Sequence, residues 1–176
     1  MTTIAYKNHT LASDSQNTGS DGSISKRGDK IFSNGNIAFG VAGRSLVISI
    51  LKFMKIPPMP TEADDWSLEK WIGSVFILEL RKELKSYGFE NDNGRLGSCT
   101  FLMYVHNRCF RFDSDFNYTE ITDSFDAIGS GRKYALASMY LGASPAEAVK
   151  VAKKFDDGTG GNVISVRLSG KKGKKK

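Results

Sequence analysis

Apolar residues in this chain alternate at every second position in some stretches and recur every three to four positions in others. The order in which those stretches follow one another limits the fold more than any other feature of the sequence. Residues 2–6 and 10–14 alternate small, β-branched and aromatic side chains about the polar turn Lys7-Asn8-His9, which predicts a tight hairpin. Residues 17–28 are rich in Gly, Ser and Asn and read as a loop. Strands follow over 29–32 and 37–42, about the turn Asn34-Gly35. A helix is then expected from Ser45 to about Lys55, with Leu46, Ile50, Phe53 and Met54 on one side, stopped by Pro57-Pro58-Met59-Pro60. The next helix begins near Asp64-Asp65 and runs to Gly88. Its apolar stripe is Trp71, Ile72, Val75 and Leu78, with Phe76 as a further candidate.

The period of two then returns. Residues 99–105 and 108–112 form a hairpin, followed by strands near 118–121 and entering Ala127-Ile128. After Gly129-Ser130-Gly131 a helix covers 134–141, and Ser144-Pro145-Ala146-Glu147 is a capping box opening another that reaches Phe155. A last strand covers 162–168. Sheet, two helices, sheet, two helices and a final strand are satisfied by an α+β fold, a four-layer αββα sandwich. Two antiparallel sheets bury one face on each other and the other on helix pairs.

A chain of 176 residues, 40% of them hydrophobic, suits one domain over 1–170. The formal charge is +6, but the lysines at 171, 172, 174, 175 and 176 supply five of those charges and leave the body at +1. Residues 171–176 read as a basic, disordered, solubilising tail. Nucleic acid is an unlikely partner except through these lysines. No run is long enough to span a membrane and no secretory signal is evident, so a cytoplasmic protein is expected. The hairpin register puts Tyr104, not Cys99, opposite Cys109, which predicts two free thiols.

The start Met1-Thr2-Thr3 has chemical potential. A threonine hydroxyl needs a base, and an N-terminal threonine carries one in its own α-amino group, whose ordinary pKa of about 7.7–8.0 leaves a useful neutral fraction. Removal of Met1 is the condition. Six segments in order then resemble proteasome β subunits and the HslV-type peptidase, members of the N-terminal-nucleophile (Ntn) hydrolases. They are Thr2-Thr3-Ile4, Ala12-Ser13-Asp14-Ser15-Gln16, Asp29-Lys30-Ile31, Gly40-Val41-Ala42-Gly43, Ala127-Ile128-Gly129-Ser130-Gly131 and the turn 156–161.

The resemblance implies the Ntn-hydrolase fold, with Thr2 as nucleophile, Lys30 beside its hydroxyl, Asp14 holding that lysine, and the Gly43 N–H as oxyanion donor. Ser130, Asp156 and Thr159 would orient the terminal amine, with Asp157 an alternative to Asp156. Substrate would lie as a strand between the loop holding Asn17 and Thr18 and the strand holding Val41. Arg44, bulkier than the small residue usual there, would alter pocket charge or ring contacts. No cofactor is required for the chemistry, and a structural Na+ or Mg2+ would sit on the backbone carbonyls of Lys153, Asp156 and Thr159. The implied function is a threonine-type endopeptidase of unfolded protein in a homo-oligomeric ring, a hexamer or double ring, with a separate AAA+ unfoldase of HslU/ClpY type. Two other readings are a catalytically silent assembly protein of the same fold and a small-molecule Ntn amidase.

Overall fold

A computed structural model describes residues 1–19, 21–60, 65–89, 96–97 and 99–168. The lysine tail and residues 61–64 of the proline-rich linker lie outside the described residues. The N-terminal hairpin forms as its alternation predicts, β1 (Thr3–Lys7) against β2 (Thr10–Asp14), closed by Asn8 and His9 at positive φ of 47° and 59°. The expected loop that follows contains a short ribbon instead, β3 (Asn17–Thr18) on β4 (Ile24–Ser25). Next come β5 (Ile31–Asn34) and β6 (Ile37–Ala42), the turn falling on Gly35-Asn36, one residue later than expected.

Helix α1 (Ser45–Phe53) buries Val47, Ile50, Leu51 and Met54, whereas Phe53, expected on that side, is 79% exposed. The long helical stretch behind it is α2 (Asp65–Trp71) and α3 (Ile77–Ser86), joined by a π-helical turn at Ile72–Phe76. The wider turn inserts a residue into the 3.6 repeat and rotates everything after it. Phe76, Ile77 and Leu80 therefore face the core, and Val75 and Leu78 of the expected stripe are exposed. At that turn the Tyr118 hydroxyl donates to the Glu69 carbonyl at 3.1 Å, giving a partner to an oxygen in the last turn of α2.

Strands β7 (Thr100–Val105) and β8 (Arg108–Phe112) pair with Tyr104 opposite Cys109, as the register required, and both cysteines are free thiols. After β9 (Tyr118–Glu120) and β10 (Phe125–Gly129) come α4 (Arg132–Tyr140) and α5 (Pro145–Phe155). The capping box of α5 is formed: the Glu147 N–H donates to Ser144 Oγ at 3.3 Å and the Ser144 N–H to Glu147 Oε2 at 2.8 Å. Strand β11 (Val163–Arg167) ends the described chain near Leu168.

The strands make two antiparallel sheets, β10-β1-β2-β11 and β5-β6-β7-β8-β9. One apolar cluster, including Phe39, Phe101, Phe110, Phe112, Leu51 and Phe76, fills the space between the five-stranded sheet and α1–α3. A second, including Ile4, Leu11, Leu102, Tyr104 and Ile128, lies between the sheets, and a third, mostly small, joins Ala5, Ala12 and Ala127 to α4 and α5. The layers are thus helix, sheet, sheet, helix. Alanine on the four-stranded sheet lets α4 and α5 lie close above the start of β1, which brings the turn after α5 to the N-terminus.

Candidate active site

Thr2 sits at the entry to β1, 4% exposed, and its neighbour Thr3 pairs with Gly129 at the end of β10. Gly129 has φ of +94°, and a Cβ there would stand 2.0 Å from the Thr2 carbonyl oxygen, so the approach of these two strand ends requires glycine. The next residue, Ser130, accepts from the Thr2 N–H at 3.2 Å. Its hydroxyl donates to Asp156 Oδ2 at 2.7 Å, in preference to the Thr2 carbonyl at 3.3 Å. Thr159 also donates to Asp156 Oδ2, at 2.5 Å. Because that uses its only proton, the 2.6 Å contact between Thr3 Oγ1 and Thr159 Oγ1 has Thr3 as donor. The carboxylate reaching both hydroxyls is therefore that of Asp156, while Asp157 turns its backbone carbonyl to the Gln16 amide at 3.1 Å.

On the other side of β1 stands a buried ion pair. Lys30, 2% exposed, donates to both oxygens of fully buried Asp14 at 3.0 Å and to the Gln16 carbonyl at 2.5 Å. These three acceptors match the three ammonium protons and leave none for a further acceptor. Asp14 accepts in addition from the N–H groups of Thr3 at 2.9 Å, Gln16 at 3.1 Å and Gly160 at 3.1 Å. One carboxylate thus ties together the start of β1, the end of β2, the lysine before β5 and the turn after α5. Burial pulls the Lys30 ammonium below the ordinary lysine range, and the Asp14 charge and hydrogen bond partly oppose that.

Gly43 follows β6 with φ of +141°, and a Cβ there would lie 2.7 Å from Cys99 Cα and 2.9 Å from Cys99 Sγ. Its N–H meets no backbone carbonyl among the described residues, and the residue is exposed. Behind it the Cys99 thiol takes a hydrogen bond from the Arg44 backbone, and burial pushes its pKa up to about 12, so it packs rather than reacts. Val41 is fully buried in the cluster against α1–α3 and can shape a pocket only from behind, whereas Asn17 and Thr18 are exposed on β3. A Cβ on Gly28 would stand 2.6 Å from the Asn17 amide, which places Asn17 against the chain leading to Lys30.

Two contributors escaped sequence reasoning. Thr3 acts through its backbone N–H and hydroxyl, and Gln16 through its carbonyl and its amide. Both stood within segments singled out, but backbone donors and acceptors carry no side-chain signature.

At the turn after α5 the Lys153 ammonium donates to the Gly161 carbonyl at 2.5 Å, and the Thr159 N–H donates to the Asp156 carbonyl at 2.9 Å. The carbonyls of Lys153, Asp156 and Thr159 are hard oxygen donors of the kind Na+ or Mg2+ takes, and Asp156 keeps a lone pair spare. Among the described residues no three His, Cys, Asp or Glu side chains gather to hold a metal, and no helix is long and apolar enough to cross a membrane.

No protein-family model matches this sequence, and no curated protein matches it. Solved structures do. BPH of Thiobacillus denitrificans in complex with epoxomicin superposes with a TM-score of 0.69 and 22% identity, over 96% of this chain and 99% of that one. A second BPH structure from that organism gives 0.69 and 21% over 96% and 98%, and HslV from Trypanosoma brucei 0.61 and 18% over 93% and 97%. The four-layer arrangement of this chain is therefore the Ntn-hydrolase fold of the proteasome-like BPH and HslV structures.

Proposed function

We propose that the chain is a threonine-type endopeptidase of the proteasome β-subunit and HslV kind, with Thr2 as nucleophile once Met1 is removed. The observation carrying this reading is the buried Lys30 ammonium, fixed on an Asp14 that also holds the Thr3 N–H. A buried lysine is costly unless paired, and here its charge is spent beside the chain's first residues. With Met1 in place, the Thr2 hydroxyl donates to the Met1 carbonyl at 2.6 Å. Loss of Met1, which is 65% exposed, removes that acceptor and leaves the free amine as the nearest base for the hydroxyl proton.

The steps follow from the groups in place. The amine, oriented by Ser130 Oγ, takes the Thr2 hydroxyl proton as Oγ1 attacks a peptide carbonyl, and the Lys30 charge stabilises the alkoxide as it forms. The carbonyl oxygen becomes an oxyanion at the Gly43 N–H. The ammonium then returns its proton to the leaving amine, giving an acyl ester on Thr2, and water activated by the same amine hydrolyses it. Unfolded polypeptide is the proposed substrate, laid along β3 through Asn17 and Thr18 with backbone hydrogen bonds supplying the grip. The proposal includes a homo-oligomeric ring, served in the cytoplasm by a separate AAA+ unfoldase. A Na+ or Mg2+ on the turn after α5 would stiffen it, with no step running through the ion.

Epoxomicin, which BPH binds in the structure above, provides the test. Intact-mass spectrometry of purified protein should show loss of Met1 and one covalent adduct per chain, with none in Thr2→Ala. Protein that keeps Met1, or a Thr2→Ala variant that is labelled equally, would contradict the assignment.

A pH profile adds a second check. Catalysis needs the Lys30 cation, and burial lowers its pKa, so the alkaline fall in kcat should begin below the range of an exposed lysine, about 10.4. Asp14→Asn removes the charge that raises that pKa and should shift the fall to still lower pH. An alkaline limb that stays in place in Asp14→Asn belongs to some other group.

A further inference from the structure

We infer that Arg44 makes this active site selective for substrates carrying an acidic side chain next to the scissile bond. The inference rests on the assignment of Thr2 as nucleophile and the Gly43 N–H as oxyanion donor. Arg44 directly follows Gly43, so its Cα lies about 3.8 Å from that of the donor residue. Any substrate whose carbonyl oxygen rests on that N–H passes within a side chain's length of Arg44.

The charge is held there rather than waving in solvent. The Arg44 backbone is tied to the Cys99 thiol, and its guanidinium lies 4.8 Å from the centroid of Phe89, itself packed against the core beneath α1–α3. Among the described residues no carboxylate pairs with Arg44, and α1, which it precedes, has no acidic residue in its first turn. Upstream of it, Asp29 lies 3.9 Å from Lys52, and buried Asp14 is paired with Lys30. On the Ser130 side of Thr2 the charge is negative, from Asp156, which accepts from two hydroxyls and has no ion pair among the described residues. The two flanks of the nucleophile thus differ in sign. An acidic side chain is favoured on the Arg44 flank, and a basic one there meets a cation that no carboxylate among the described residues pairs.

The test uses Met1-trimmed protein in the assembly in which it is isolated. The probes are internally quenched peptides identical except for Glu or Gln at the residue before or after the scissile bond. At low ionic strength and neutral pH, kcat/KM for Glu over Gln should be about three to tenfold at one of these positions. It should shrink toward one in about 0.5 M NaCl. Arg44→Gln should bring the ratio to about one and Arg44→Lys should retain it. Arg44→Glu should instead favour Lys over Gln at the same position. A ratio of one or less at both positions, or a preference that survives Arg44→Gln, overturns the inference while leaving the peptidase assignment intact. No cleavage of any peptide together with no epoxomicin adduct overturns both.

Discussion

Lys30→Met should lower kcat/KM by about a thousandfold and destabilise the protein by about 3–5 kcal/mol, the two losses having separate causes. The first is the loss of a positive charge where Oγ1 becomes an alkoxide. The second arises because Asp14, fully buried, would keep its negative charge with only the N–H groups of Thr3, Gln16 and Gly160 for partners. The causes can be separated by adding Asp14→Asn to Lys30→Met. Removing the orphaned charge should return part of the stability, measured by urea unfolding, while peptidase activity stays lost. If activity and stability recover together, Lys30 is a structural residue and the charge argument fails. If neither single variant changes stability by more than about 1 kcal/mol, the pair is not buried as described here.

Gly43→Ala should reduce kcat by about a hundred- to a thousandfold with a much smaller change in KM, because it displaces a donor that matters most when the oxyanion forms. The methyl group would meet the Cys99 backbone at 2.7 Å, in a φ of +141° that alanine rarely adopts. That backbone contact makes a sharp prediction about rescue. Cys99→Gly removes Cβ and Sγ but leaves Cα, so the double variant Gly43→Ala/Cys99→Gly should remain impaired. Recovery of kcat in the double variant would show that side-chain crowding, not the backbone, sets the position of this loop. Thermal melting should register a milder cost of about 1–3 kcal/mol, which separates loss of the donor from loss of the fold.

How much of this could be read without coordinates depends on the range of the forces involved. The hairpins at Asn8-His9 and at His106-Asn107, the α5 capping box and the four layers were legible because alternation, turn chemistry and caps act over a few residues. The register of Cys109 against Tyr104 followed from one turn. The helical stripe after Trp71 was misassigned past the π-helical turn, since a wheel drawn at 3.6 residues per turn cannot anticipate a wider one. The partner at that turn, Tyr118 on Glu69, is 49 residues away. The same physics accounts for Phe53: tertiary packing chose Val47 and Leu51, and propensity was silent about the rotation. The ribbon at β3 and β4 arises in a Gly- and Ser-rich stretch with no apolar pattern to announce it. For the site, the hydroxyl and amine chemistry of Thr2 followed from residue type alone. The pairing of Asp14 with Lys30 came from likeness to a family, because nothing local in the sequence brings them together. The service of Thr3 and Gln16 runs largely through backbone atoms that every residue possesses.

The Asp14 carboxylate gathers its donors from both ends of the polypeptide, the Thr3 N–H from the beginning and the Gly160 N–H from near the close. During synthesis the ribosome delivers the first of these long before the second. A nascent chain that has made β1 and β2 therefore holds an aspartate still waiting for its remaining donors, and Ser130 has no Asp156 to lean on. Under the proposed assignment, the groups around Thr2 stay incomplete until residue 160 has been made and folded back onto β2.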